Sequence, residues 1–154
     1  MRNIVAIAAL AIITPVWAGT IPLSELQVGH VASGEQESTV IERMGEPSKR
    51  IETAEGTELH YSGLVVTVGW LDDRAPGVER RVAALLGTGR RACTPRGLCP
   101  GMPANTAKHL YGSAELTHRT YGTFLEYYPK EPGCWLQVSV HAGIVRSVGV
   151  ACSP

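Results

Sequence analysis

A chain of 154 residues, 44% of them hydrophobic, is sized for one domain or for two small ones sharing a core. Its 14 acidic and 14 basic side chains cancel, and that balance with so high an apolar fraction excludes a disordered chain. Seventeen glycines and ten prolines favour many turns and short strands over long helices.

At the start, Arg2 precedes an apolar run from Ile4 to Val16, broken at Thr14 and Pro15 and ending in Val16-Trp17-Ala18. A membrane span needs about 20 apolar residues. This shorter run, closed by small residues, reads as a signal peptide over 1–18 cleaved after Ala18. No cysteine follows the cleavage site, so no lipid anchor is expected and the mature protein is expected to be soluble and periplasmic. No nucleic acid partner is then expected.

Beyond the leader, Leu23, Leu26 and Val28 offer a helical turn within Pro22 to Ser33. Gly34 to Gly45 and Gly101 to Gly112 each place a small aliphatic residue six positions after the first glycine (Val40, Ala107). Each then has a large apolar residue at ten (Met44, Tyr111) and a glycine at eleven. Both read as short helices ended by glycine, because the residue after a helix often takes positive φ, which glycine adopts without a Cβ penalty.

The echo continues in strands. Leu64 to Val68 matches Leu136 to Val140 as L-x-V-[ST]-V, and Val78-x-Arg80-x-Val82-x-Ala84 matches Ile144-x-Arg146-x-Val148-x-Val150. Glu58 to Tyr61 and Thr123 to Tyr128 supply a further strand each. Matches in one order, at offsets of 67, 72 and 66 residues, predict a duplicated unit. The expected fold is α+β: two tandem αβββ units, over 19–90 and 101–154, with helices on one face of an antiparallel sheet. A linker over 91–100 joins them within a glycine- and proline-rich stretch.

Four cysteines behind an export signal predict two disulfides, and the most local pairing is Cys93–Cys99 with Cys134–Cys152. The first pair brackets a loop containing Pro95 and Gly97. The second lies near opposite ends of a hairpin turning at His141-Ala142-Gly143. A zinc or redox site lacks both CxxC and a Cys/His ligand pattern.

Catalytic signatures are missing: the chain has no G-x-S-x-G, no H-E-x-x-H and no phosphate-cradling glycine loop. The five histidines fall in different elements, and His109 and His118 lack a defensible ligand spacing. Asp72-Asp73 before Pro76-Gly77 reads as a turn. No enzyme activity, metal or cofactor is therefore expected. Charge is nevertheless segregated, with eleven acids against four bases from Glu25 to Glu79 and nine bases against three acids from Arg80 onward. Either the two halves attract each other, or Arg80, Arg81, Arg90, Arg91 and Arg96 steer an acidic partner or lipid phosphate.

The motifs Gly34…Val40…Met44-Gly45-Glu46-Pro47 and Gly101-Met102…Gly112 resemble the signature of the SmpA/OmlA small outer-membrane lipoproteins, and tandem copies resemble the β-lactamase-inhibitor-protein fold. The chain departs from that pattern in having no lipid-bearing cysteine and in carrying Ser113-Ala114 where a proline would follow. The resemblance implies a non-catalytic exported module that grips another protein with its sheet. The leading expectation is an inhibitor or immunity-type protein that sequesters a secreted hydrolase or antibacterial toxin. The alternatives are an envelope or outer-membrane assembly factor and a small hydrolase with an unrecognised site.

Within the terminal hairpin, Leu136, Val138 and Val140 take one side, so period-two geometry sends Trp135, Gln137 and Ser139 to the other. Trp135 is the expected partner anchor, or else it packs on the second disulfide. Tyr121 and Tyr127 extend the patch if their segment pairs alongside, and Arg90, Arg91 and Arg96 rim it.

Overall fold

A computed structural model of the protein describes residues 20–69 and 77–153, so the expected signal peptide and the Asp72-Asp73 turn lie outside the described residues. The N-terminal segment forms a 3-10 turn (Leu23–Glu25) and a two-stranded ribbon, β1 (Gln27–Val28) with β2 (Val31–Ala32), where an α-helical turn was expected. Helix α1 (Glu37–Met44) then leads into β3 (Lys49–Thr53), β4 (Gly56–Tyr61), β5 (Leu64–Val68) and β6 (Val82–Gly87). After the linker, α2 (Ala104–Tyr111) leads into β7 (Glu115–Arg119), β8 (Gly122–Tyr127), β9 (Cys134–His141) and β10 (Ile144–Cys152). These eight strands form one antiparallel sheet in the order β3-β4-β5-β6-β10-β9-β8-β7. Each run of four enters at an edge and ends at the centre, where β6 pairs with β10.

This continuous sheet overturns the expected architecture of two tandem αβββ units with helices on one face. The chain is mostly β: four strands follow each helix, and the two α-helices among the described residues have only eight residues each. The missed strands are the two edges, Lys49-Arg50-Ile51-Glu52-Thr53 and Glu115-Leu116-Thr117-His118-Arg119. Neither shows the apolar alternation of a half-buried strand, because an edge strand is rich in charge and bordered by solvent. In addition, β6 begins at Val82, while Val78 is exposed.

Both helices end as the glycine spacing predicts: Gly45 and Gly112 each take φ +81° and donate their N–H to Ile41 O and Lys108 O at 2.8 Å. Each helix is also stitched to a central strand just before its start. Gly34 N–H bonds Val82 O and Val82 N–H bonds Glu35 O, and the same pair of bonds joins Gly101, Val145 and Met102. Val40 and Ala107 are the fully buried side chains of the two helices. They meet Leu59, Val66, Val68, Leu136, Val138, Val148 and Val150, which share one face of the sheet by register. Burying each such aliphatic side chain contributes about 1.5–3 kcal/mol.

The hairpin of β9 and β10 turns where expected, on Ala142 (φ +51°) and Gly143 (φ +73°), the paired positive φ of a type I′ turn. Both disulfides have the expected pairing, Cys93–Cys99 and Cys134–Cys152. Cys134 and Cys152 stand directly opposite each other in the ladder and close the open end of the hairpin. Cys93–Cys99 folds the linker, whose buried Ala92 and Leu98 belong to the core. The sequence separations are 18 and 6 residues, so loop-closure entropy gives about 3 kcal/mol for Cys134–Cys152 and about 2 kcal/mol for Cys93–Cys99. Replacing both cysteines of a pair by alanine and measuring urea unfolding should show the larger loss for Cys134–Cys152. A larger loss for Cys93–Cys99 would show that the linker's packing outweighs the hairpin constraint.

Candidate functional site

Period-two geometry places half of the sheet's side chains on the face away from the buried core. On that open face, register sets Glu126 beside Gln137, Phe124 beside Ser139, Ser139 beside Ser147, and Gly149 between Gln137 and Leu86. The row crosses four adjacent strands, β8, β9, β10 and β6, and forms a groove of ≈ 350 Å³ lined by Leu86, Tyr121, Phe124, Gln137, Ser139 and Ser147. Its floor is open because Gly149 has no side chain; a Cβ there would stand 2.5 Å from Leu85 O. Tyr121, in the turn after β7, is 76% exposed and sets its ring edge-on to Phe124, with centroids 5.5 Å apart and planes at 69°. The Arg119 guanidinium lies 5.2 Å from the Phe124 centroid and fixes that ring in turn.

Beneath this surface lies a carboxylate that the sequence reading did not single out. Glu126 is 2% exposed, and a buried charge is tolerated only when its lone pairs are satisfied. Here one oxygen accepts from Arg119 and Gln137, both at 2.7 Å, and the other from Tyr128 at 2.8 Å and Thr117 at 2.9 Å. Burial pushes its pKa up, but the bonds from Gln137, Tyr128 and Thr117 and the Arg119 charge outweigh burial and hold it below the ordinary carboxylate range. With four donors in place, Glu126 orients its neighbours and stays ionised. The groove above it presents aromatic rings, an aliphatic wall, hydroxyls and an amide, which suits binding a neutral surface.

The structure brings Tyr121, Gln137 and Ser139 together in this groove. Trp135 is on the same face but outside the lining, stacked on Tyr128 at 5.8 Å and 27°, with its indole N–H buried and unpartnered among the described residues. Tyr127 is a correction: it points to the core side, 1% exposed, against the Tyr111 ring at 5.2 Å, so it does not extend the patch. Nor do the linker arginines rim it. Arg96 donates to Glu25 and to Leu110 O and lies 5.0 Å over the Tyr111 ring, while Arg90 and Arg91 stand exposed in the same linker. Arg80 bonds Glu37 at 2.7 Å, so two of the basic half's arginines, Arg80 and Arg96, are engaged with the acidic half. Phe124, Glu126, Leu86, Ser147 and Arg119 were missed because their grouping depends on the unrecognised strand β7 and on the register of β6 with β10.

No family model matches the chain, and no curated protein matches it. Among solved structures, a DUF4309 family protein from Bacillus subtilis is similar, with a TM-score of 0.51 at 12% identity, covering 77% of this chain and 78% of that one. A cysteine-rich secretory protein from Staphylococcus aureus is also similar, with a TM-score of 0.51 at 11% identity over 79% of this chain. This chain spans 43% of the staphylococcal protein. These likenesses are of fold alone.

A carboxylate whose folded pKa is depressed stabilises the fold fully above its unfolded pKa, and that contribution is lost as pH falls through the folded value. Glu126→Gln should therefore cost about 2 kcal/mol at neutral pH, where charge-assisted bonds are lost, and the gap to the parent should narrow in acid. Urea unfolding at neutral and acid pH measures both; a gap that does not change with pH would show that Glu126 is not held ionised.

Proposed function

We propose that this chain is an exported, non-catalytic binding protein that sequesters or inhibits another protein, a secreted hydrolase or an antibacterial toxin, through the open face of its sheet. The single observation that carries the reading is the exposed Tyr121 ring standing over a groove that is otherwise pre-set by the Glu126 network. Aromatic residues at the centre of a rigid patch are the usual anchors of protein interfaces, because they bury large area at modest entropy cost. Two formed disulfides fit an oxidising compartment, and with the leader-like N-terminus they support export to the periplasm through a cleavable signal peptide. The resemblance of the glycine-bounded helices to SmpA/OmlA modules supports the same reading.

In this account Tyr121 is the anchor, and Trp135 acts indirectly by bracing Tyr128 against Glu126. Immobilised mature protein should retain a periplasmic or secreted protein whose own activity falls on binding. Tyr121→Ala should weaken that complex by about 30-fold, the equivalent of about 2 kcal/mol, and Trp135→Ala by less. A complex measured by calorimetry that tolerates Tyr121→Ala, and tolerates a groove blocked by Ser139→Tyr, would place the partner elsewhere.

A further inference from the structure

An open sheet of eight strands ends in two edges, here β3 and β7, and an unpaired strand is a template for pairing with another chain. The β3 edge is guarded: Lys49, Arg50 and Glu52 are exposed, and Arg50 is tied to Glu37 at 2.7 Å and Glu46 at 3.3 Å within its own chain. The β7 edge carries Leu116, 57% exposed. Among the described residues, only β8 pairs with its backbone. Its five residues run Glu115-Leu116-Thr117-His118-Arg119, with opposite charges at the two ends and a threonine at the centre.

We propose that β7 pairs antiparallel with β7 of a second copy of this chain, about a twofold axis through Thr117, giving a dimer with one sheet of sixteen strands. In this register Glu115 of each copy stands opposite Arg119 of the other, Leu116 opposite His118, and Thr117 opposite itself. Every contact but the Thr117 self-pair on the axis is made twice, as an isologous interface requires. Sliding the strands by two residues either way leaves Glu115 without Arg119 opposite it, and an in-register parallel pairing sets Glu115 against Glu115, so charge selects this arrangement. Arg119 has the capacity for it: a guanidinium has five N–H donors, and its bond to Glu126 uses one nitrogen. The two Leu116 side chains become diagonal neighbours across the seam, about 7–8 Å apart at their backbones and within reach of each other. Each covers a leucine that a single chain leaves in water.

The axis stands perpendicular to the sheet, so Glu115, Thr117 and Arg119 of both copies stay on the open face. Both grooves therefore lie on one side of the joined sheet, one on each side of the seam, and the dimer presents two equivalent binding faces in the same direction.

Sedimentation of the full mature protein across a dilution series tests this, with the mass of two chains expected at the concentrated end. Glu115→Arg sets arginine against Arg119 twice and should weaken association at least about tenfold at low salt. The melting temperature of the dissociated protein should not fall, since the Glu115 side chain is exposed and stands opposite Glu126, where arginine replaces a like charge with an opposite one. The register is read separately by mixing Leu116→Cys and His118→Cys copies under mild oxidation, where the 116-to-118 cross-link should exceed either self-link. A single-chain mass throughout, a dimer indifferent to Glu115→Arg, a self-link that dominates, or a strand of a different protein found on β7 would each overturn the proposal.

Discussion

The pairing of β6 with β10 at the centre of the sheet is the constraint on which both faces depend. Val148 stands opposite Gly87 there, and Gly149 opposite Leu86, so each central strand carries one glycine at neighbouring rungs. On the core side, a Cβ at Gly87 would stand 2.6 Å from the Ala92 side chain and 2.7 Å from that of Val28. Its absence lets the N-terminal ribbon and the disulfide-closed linker press onto the sheet. On the open side, the missing side chain of Gly149 leaves the floor of the groove clear. Core closure and groove shape are thus settled within two adjacent rungs, where interior close packing leaves no slack.

The open face gains its rigidity from polar bonding, because half of it is in water and hydrophobic burial cannot hold it. Glu126 gathers Thr117 and Arg119 from the edge strand, Tyr128 from beyond the end of β8 and Gln137 from β9. One residue therefore ties three strands together on that face. Arg119 then passes the order on to Phe124 and Tyr121 through ring contacts. A surface whose side chains are fixed before contact loses less entropy on binding, which is the physical case for a binding role.

Much of this was legible in the residues. The β9 arm of the terminal hairpin is legible in the alternation Leu136/Val138/Val140 before Ala142-Gly143, whereas in β10 a register shift between Val145 and Ser147 breaks the alternation and buries Val145 in place of Ile144. Of the three possible cysteine pairings, the most local is the one formed. Glycines at fixed distance marked the ends of both helices. The edge strands were not legible, because Lys49 to Thr53 and Glu115 to Arg119 do not alternate, and with β7 unseen the partners of Glu126 had no place. Strand β8 posed a different difficulty. Phe124, Leu125 and Tyr127 are all apolar or aromatic, so period two does not say which side faces the core; β8 does pair alongside β9, yet Tyr127 is buried and does not extend the patch. Trp135 was placed on the correct face by alternation, but its stacking on Tyr128 follows from the chain's course after β8 and leaves no trace in the sequence pattern.

Hydrogen exchange of the chain, alone and saturated with a protein that it retains, tests the central claim that the open face is the binding surface. The account predicts slowed exchange in β8, β9 and β10 and in the turn that carries Tyr121, with the linker and α1 unchanged. Slowing confined to the linker between β6 and α2, or to the two helices, would contradict it and assign binding to the opposite side of the sheet.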